Sequence, residues 1–294
     1  MTTRDTAAKH ALPLAVVLLI IGLLWYLGAI WLNSPQVIDQ LNRVGPDWTA
    51  QDLVEGTWSM ERPVLPTPDQ VAVEFWKTTA GTAITSKRSL FYHTWITASA
   101  TLLGFIIGTM LGVALAIGIV HLSVLDRSLL PWIVASQTVP ILAVAPMIIV
   151  VLGNIGITGL IPKAAISAYL SFFPVTIGMV KGLRSPDVLQ LDLMHTYNAS
   201  KGQILWKLRW PAALPFLFAS LKVSVAISLV GAIVGELPTG ATAGLGARLL
   251  TGSYYGQTIQ IWSALLMAAL LGCILVLLIG FTERVTQGRM GARS

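Results

Sequence analysis

Residues 185–215 carry the sequence SPDVLQLDLMHTYNASKGQILWKLRWPAALP, a polar and basic interruption in an otherwise strongly apolar chain. Ser185, Pro186 and Asp187 predict a helix start, because a serine cap, a proline in the first turn and an early acid suit its unpaired N–H groups. Apolar residues then recur at three- and four-residue spacing, which predicts an amphipathic helix. Asn198 tolerates the left-handed backbone that ends a helix.

A second short helix is predicted directly after this turn. Ser200 and Gln203 have the spacing of a capping box, and apolar residues then alternate with bases until Pro211 and Pro215 constrain the helix. Two short amphipathic helices joined by a tight turn are too short to cross a bilayer. Their apolar faces therefore need a partner.

Composition decides the class of protein. Hydrophobic residues make up 55% of the 294 residues and charged residues only 11%, whereas a soluble domain has about 25% charged residues. The chain is therefore predicted to be an integral membrane protein. The net charge of +6 comes from bases near the ends of apolar runs, so it indicates membrane orientation and not a nucleic-acid partner. The single cysteine, Cys273, excludes an intrachain disulfide.

Six apolar runs predict an all-α, polytopic membrane protein with about six transmembrane helices. The runs are approximately residues 11–32, 92–120, 129–152, 160–180, 215–234 and 258–281. The first run could instead be a cleaved signal peptide, but it is about 20 residues long, against 7–15 in such peptides. A retained anchor is therefore favoured.

Loop charges set the predicted orientation. The loop between the fourth and fifth runs carries five bases against two acids, which places it on the cytoplasmic side of the inner membrane. Alternation then puts both termini in the cytoplasm. Residues 33–88 are rich in acids and are predicted to lie outside, with an amphipathic helix at 71–79 along the membrane surface. The glycine-rich segment 236–257 is a second outer loop.

Three regions follow from this topology. Residues 1–90 hold the first transmembrane helix and the external or interfacial segment. Residues 91–284 form the core domain, which includes the cytoplasmic loop 181–212. Residues 285–294 are a cytoplasmic tail.

Small residues recur at strict four-residue spacing in the second run. Gly104, Gly108 and Gly112 lie between Ala100 and Ala116 in this stripe, which lets helix backbones approach closely in lipid. Ordinary packing within the chain is favoured over a dedicated dimer face, because every helix of a bundle needs such faces.

Polar residues within the apolar runs indicate a solute pathway. Ser136, Gln137 and Thr138 precede a proline in the third run, and such groups at membrane depth need an internal partner or a water-filled cavity. We expect them to line the pathway, with Glu236 near its outer mouth; the alternative is a satisfied helix kink. Lys222 within the fifth run requires an acid or carbonyl groups as partners.

Motifs of the common enzyme classes are missing from the sequence. It contains no phosphate-binding loop, no zinc-protease motif and no plausible nucleophile cluster. The four histidines are scattered and are expected to be interfacial polar residues. No cofactor and no metal site are predicted for this chain.

The central stretch resembles the cytoplasmic loop of ABC-importer permeases, the inner-membrane components of binding-protein-dependent transport. In that family the loop begins Glu-Ala-Ala, has a glycine a few residues on, and ends in Leu-Pro. Here Asp192-Leu193-Met194, Asn198 and Trp210-Pro211 occupy those positions. Flanking motifs agree in order across roughly residues 65–284. They include Leu65-Pro66-Thr67-Pro68, Gly231 to Glu236, and Gly244-Leu245-Gly246.

These motifs together resemble the nitrate/sulfonate/taurine-type branch, which includes permeases for thiamin and riboflavin precursors. The resemblance implies a type I ABC-importer permease architecture and no catalytic activity in this chain. It also implies a second permease copy or a sister permease, cytoplasmic ATP-binding subunits that hold the ATP, and an external solute-binding protein.

The resemblance further implies that the ATPase contacts the loop at the following positions: Asp192, Met194, Tyr197, Asn198, Ala199, Ser200, Lys201 and Gly202. The cargo would be a small, organic or anionic solute. Two other functions remain open at this point. A stand-alone secondary transporter would need no ATPase, and a membrane scaffold would not transport at all.

Overall fold

The computed structural model describes residues 3–45, 47–238 and 241–289. Within these residues every regular element is a helix, as the all-α prediction requires. The elements are α1 (Thr3–Val44), α2 (Ala50–Ser59), α3 (Pro68–Thr79), α4 (Leu90–His121), α5 (Ser123–Ser136), α6 (Ile141–Asn154), α7 (Leu160–Leu183), α8 (Val188–Thr196), α9 (Lys201–Ile204), a π-turn (Leu205–Arg209), α10 (Trp210–Gly235), α11 (Leu245–Tyr254) and α12 (Thr258–Arg289).

Five of these helices are long and apolar enough to cross a membrane. They cover Leu12–Val44, Leu90–His121, Leu160–Leu183, Lys201–Gly235 and Thr258–Gly288. The predicted third span is different, because α5 and α6 form a pair bent by 99°. Counted as one broken span, this pair brings the total to the predicted six.

The break between α5 and α6 has a local cause. Pro140 has no N–H to donate and caps α6 from an extended conformation. Ser136 and Thr138 donate their hydroxyls to the carbonyls of Ile133 (2.7 Å) and Ala135 (2.8 Å). These bonds satisfy carbonyl groups that lose their helical partners at the break.

The chain divides into two compact units. The first comprises Met1–Leu90 and Arg248–Leu266, and the second comprises Phe91–Ala247 and Met267–Ser294. The domain boundaries inferred from the sequence remain predictions, and the tail from residue 290 lies outside the described residues.

Asn33 organises the first unit. Its side chain is fully buried within α1, which continues beyond it to Val44. The amide nitrogen donates to the carbonyls of Leu65 (2.9 Å) and Thr57 (3.3 Å), and the amide oxygen accepts from the N–H of Val64 at 2.8 Å. Trp25 adds a hydrogen bond to the carbonyl of Pro66 at 2.9 Å. The predicted external segment is therefore a folded region with two helices.

Close contacts between helices define the core of the second unit. A Cβ atom on Gly104, Gly108 or Gly112 of α4 would lie within 3.0 Å of atoms of α7. Such proximity leaves no room for a larger residue, so the glycine stripe packs within the chain. On the other side of α7, Ser167 donates to the carbonyl of Ser228 (2.7 Å) on α10.

Lys222 of α10 has the acidic partner that its position required. Its Nζ lies 2.5 Å from Oε2 of Glu283 on α12. Both side chains keep some exposure, 38% for Lys222 and 19% for Glu283. The ion pair therefore compensates a charge in the middle of α10 with an acid near the end of α12.

Candidate functional site

The polar hairpin that follows α7 begins with a well-capped helix. Asp187 caps α8, with its N–H donating to Oε1 of Gln190 at 3.2 Å. The predicted start at Ser185 is wrong, because the Ser185 hydroxyl bonds back to the carbonyl of Gly182 at 2.8 Å. Pro186 also disfavours helical geometry in the residue before it. The helix therefore starts at Val188.

The turn after α8 has the predicted geometry. Asn198 has a φ of 50°, which is the left-handed conformation that asparagine tolerates better than most residues. The N–H of Ala199 donates to the carbonyl of Met194 at 3.0 Å. Ser200 and Gln203 then form the reciprocal capping box of α9, with bonds of 2.8 and 3.3 Å. Backbone and side-chain hydrogen bonds thus define the whole turn.

The second helix of the hairpin is not a separate element. It was predicted to end at Pro211 and Pro215, but α9, the π-turn and α10 form one continuous run over Lys201–Gly235. The π-turn is wider than an α-helical turn and comes directly before Pro211. It accommodates this proline, whose nitrogen cannot donate a hydrogen bond, without ending the helix. The second helix of the hairpin is therefore continuous with a candidate membrane-spanning helix.

Two arginines fix the base of the hairpin. Arg209 donates from Nη1 to the carbonyl of Leu183, the last residue of α7, at 2.9 Å. Arg184 forms an ion pair with Asp126 near the start of α5, with 2.9 Å between Nη2 and Oδ1. The hairpin is thereby tied to α7 and α5.

The outer surface of the hairpin is apolar and exposed. No residue of α8 is buried. Val188, Leu189, Leu193 and Tyr197 are 68, 76, 56 and 77% exposed. Within the described structure of the single chain, this surface contacts no other helix to any extent that would bury it. Burying it on another molecule would be favourable.

At the opposite end of α10, Glu236 is fully buried. Its Oε2 accepts hydrogen bonds from Oγ1 of Thr97 (2.9 Å) and from the N–H of Gly246 (2.9 Å), and its Oε1 lies 3.7 Å from Nζ of Lys163. Burial raises the pKa of Glu236, which follows the last residue of the span, to about 7. Lys163, the hydroxyl of Thr97 and the N–H of Gly246 oppose this rise.

The backbone after Glu236 is held at three consecutive positions. Gly244 donates its N–H to Nδ1 of His93 (3.0 Å), Leu245 to Oγ1 of Thr97 (2.8 Å), and Gly246 to Glu236. Gly244 has a φ of +127°, and a Cβ atom there would collide with the carboxylate of Glu236. We call Glu236, Thr97, His93 and residues 244–246 the carboxylate cluster.

Comparison with known proteins gives the family. Residues 100–290 match the model of the binding-protein-dependent transport system inner membrane component. The chain belongs to this family. The riboflavin transport system permease protein RibX of Chloroflexus aurantiacus is 33% identical over 76% of this chain and 79% of its own length.

Two further relatives carry different substrate names. The formylaminopyrimidine transport permease protein ThiX of Halalkalibacterium halodurans is 31% identical over 62% of the permease and 68% of its own length. The putative aliphatic sulfonates transport permease protein SsuC of Bacillus subtilis is 27% identical over 75% of the permease and 76% of its own length.

The permease is a non-catalytic, multi-pass subunit of an ABC importer in the inner membrane, and it belongs to the translocation part of that importer. The family resemblance drawn from the sequence is confirmed. ATP-binding subunits and solute-binding proteins are the general partners of this family.

The predicted site residues of the permease lie in three separate parts of the structure. In the hairpin, Met194 and Ala199 are half-buried and the other six are exposed, namely Asp192, Tyr197, Asn198, Ser200, Lys201 and Gly202. Ser136, Gln137 and Thr138 lie at the break between α5 and α6, where Tyr169 donates to the carbonyl of Ser136 at 2.6 Å. Glu236 is in the carboxylate cluster, where its side chain is fully buried.

Sequence reasoning missed the polar residues that join α4, α7 and α10. Ser228 donates to the carbonyl of Thr101 (3.0 Å), and Ser224 to that of Ser171 (2.8 Å). Four-residue spacing was the available signal. It recurs in His93, Thr97 and Thr101, in Ser167 and Ser171, and in Ser220, Ser224 and Ser228. His93 itself is buried and accepts the N–H of Gly244 near the start of α4.

Proposed function

We propose that the hairpin of α8 and α9 docks into a groove on a cytoplasmic ATP-binding subunit and transmits its movement to the permease. The observation that carries this proposal is the exposed apolar surface of α8, which a tight turn joins to α9, and α9 runs without a break into α10. A short helix that lies in a groove of a partner is a common mode of recognition. Tyr197, Asn198, Ala199 and Ser200 would form the contact.

ATP is bound and hydrolysed by the partner subunits and not by this chain. When two ATP-binding subunits close on ATP, each would displace a hairpin. The π-turn and α10 would carry that displacement along a helix of 26 residues, a distance of about 39 Å at 1.5 Å per residue. Arg209 and Arg184 hold the hairpin to α7 and α5, so the helices would move together.

The orientation proposed for the chain follows the distribution of bases. The hairpin and both termini lie in the cytoplasm, and the carboxylate cluster lies at the external end, where a solute-binding protein delivers its cargo. A second permease copy or a sister permease completes the pathway. Ser136, Gln137 and Thr138 are its proposed lining residues, and partly exposed Gln137 at a broken helix supports this choice.

The proposed cargo is a small organic solute, with an anionic group favoured. The relatives' names support a small organic molecule: riboflavin, a formylaminopyrimidine and aliphatic sulfonates. These names agree in size class and differ in charge.

Ala199→Glu tests the docking of the hairpin. Ala199 is half-buried at the tight turn, so a longer charged side chain should keep the ATPase from seating. We expect loss of uptake, and loss of the stimulation of ATP hydrolysis by solute-loaded binding protein, in vesicles that contain the assembled transporter. Ala199→Ser is the matched control and should retain both activities. Unchanged transport by Ala199→Glu would refute the assignment.

A further inference from the structure

A cavity of about 500 Å³ lies within the second unit. Its wall is built from the beginnings of α4 and α7, the ends of α6 and α10, and residues 238 and 241–243. Most of the lining is apolar, including Ile96, Ile149 and Leu160. The polar side chains are those of Tyr92, Ser99, Thr158, Thr242 and Lys163. Both the volume and the small number of polar groups are typical of sites for small molecules.

Lys163 supplies the charge in this wall. Its side chain is only 13% exposed, so it lies mostly within the protein. Its Nζ donates a hydrogen bond to the carbonyl of Ala243 at 3.2 Å, although an ammonium group can donate three. Glu236 forms an ion pair with this ammonium group at 3.7 Å, a distance longer than that of a hydrogen bond.

Glu236 does not fully neutralise Lys163. Its carboxylate lies behind the cavity wall and accepts hydrogen bonds from Thr97 and Gly246. Because burial raises the pKa of Glu236 to about 7, the carboxyl group is partly protonated near neutral pH. Lys163 is the one charged side chain among the described residues that line the cavity.

The first turn of α7 adds to the positive charge of Lys163. Gly159 and Leu160 lie in the wall where α7 begins, and no side chain caps this helix. An uncapped helix start favours negative groups. The helix start therefore supports the binding of an anion, but the enclosed Lys163 is the principal positive charge.

We propose that this cavity binds the sulfonate or carboxylate group of a small organic solute. Lys163 contacts the anionic group, and Tyr92 and the isoleucine side chains cover the apolar remainder. That the bound solute is cargo on its way across the membrane rests on the proposed function, but the binding itself does not. The phosphate of a lipid headgroup has the same chemistry, so the test must separate the two sources.

Charged thiol reagents test the cavity without knowledge of the cargo. Cys273 is the single cysteine, so Cys273→Ser gives a background for Thr158→Cys in the wall. In neutral detergent, an ethylsulfonate methanethiosulfonate should react with this cysteine about tenfold faster than the trimethylammonium reagent, after correction for their rates with a free thiol. One positive charge in a partly enclosed site has an effect of this size.

Variants at Lys163 assign the preference to its charge. Lys163→Arg should keep the preference for the sulfonate reagent, and Lys163→Met should remove it. Ser123→Cys, just beyond the other end of α4, should show no preference. An equal ratio at Thr158→Cys with and without Lys163 would overturn the proposal.

Cavity filling provides a test that leaves Lys163 and Glu236 intact. Ile149→Trp should slow labelling by both reagents. Met147→Trp is the control, because Met147 is 66% exposed on the same helix, and it should leave the labelling rates unchanged. Equal rates in the two tryptophan variants would show that the cavity is not the route to Thr158.

Protection experiments separate a solute from a lipid. Butanesulfonate should protect the cysteine in detergent, and vesicles of phosphatidylglycerol should label as fast as vesicles of phosphatidylcholine. Slow labelling only in phosphatidylglycerol, without protection by butanesulfonate, would identify a lipid site and overturn the solute assignment. The assay needs no ATPase and no transport, so failure of Ala199→Glu to block uptake would leave this result unaffected.

Discussion

The hairpin of α8 and α9 and the carboxylate cluster lie before and after the same helix, α10, and they are built in opposite ways. The hairpin exposes its apolar side chains, and none of α8 is buried. The carboxylate cluster encloses a carboxylate completely and bonds three consecutive N–H groups of the following segment. The hairpin needs another molecule to bury its apolar side chains, whereas the polar groups of the carboxylate cluster find their partners within the chain.

This difference predicts that substitutions in the two regions will have different effects. Substitutions on the hairpin should impair coupling to the ATP-binding subunit and leave the stability of the permease unchanged. Substitutions in the carboxylate cluster should affect stability first, because buried polar groups lose partners that water cannot replace. Four changes put this contrast to the test.

Removal of the buried carboxylate should have the largest effect. Glu236→Ala leaves Lys163, Thr97 and the N–H of Gly246 without their partner, so we expect a loss of about 3–5 kcal/mol in the free energy of unfolding. Denaturant titration in mixed micelles measures it. Glu55→Ala is the control, because Glu55 is exposed on α2, outside the membrane-spanning helices, and it should cost less than about 1 kcal/mol. Equal costs would contradict the contrast.

A bulky residue in the glycine stripe should have the next largest effect. Gly108→Leu would force α4 away from Ser171 and Ala168 of α7, at a cost of about 1–3 kcal/mol in the free energy of unfolding. Gly22→Leu on α1 is the matched control, because no atom lies within 4 Å of a Cβ atom there. If Gly108→Leu unfolds at the wild-type denaturant concentration, the close approach of α4 and α7 is wrong.

A smaller effect is expected from pH. The pKa of Glu236 is raised from 4.5 to about 7 in the folded protein, so the folded state binds more protons than the unfolded state between these values. Its stabilising contribution is fully present below pH 4.5 and is lost as the pH rises through 7. The free energy of unfolding should therefore fall between pH 5 and 8 more steeply in the wild type than in Glu236→Gln. Parallel curves would contradict the raised pKa.

The smallest effect on stability is expected in the hairpin. Leu193→Ser changes a side chain that is 56% exposed, so the free energy of unfolding should change by less than about 0.5 kcal/mol. Stimulation of the ATPase should nevertheless fall. Leu183→Ser, at a fully buried position, should cost more than about 2 kcal/mol. A large loss of stability in Leu193→Ser would show that the hairpin surface is covered within the chain.

Periodicity and capping chemistry made the local structure of the hairpin predictable. Asn198 and the pair Ser200 and Gln203 have the expected conformations, because turns and caps depend on neighbouring residues. The helix start at Ser185 and the helix end at Pro211 were wrong. Both errors concern prolines, whose effect depends on whether another hydrogen bond or a π-turn compensates for the missing N–H.

The sequence by itself determined the all-α membrane class, the number of apolar segments and the family, since these depend on composition, apolar length and ordered motifs. Only the tertiary structure decided which residues meet. Glu236 and Thr97 are 139 positions apart, and no local pattern connects them. Helix packing encloses Glu236, brings an acidic partner to Lys222 and forms the cavity beside Lys163. Burial and charge pairing depend on neighbours that are distant in sequence.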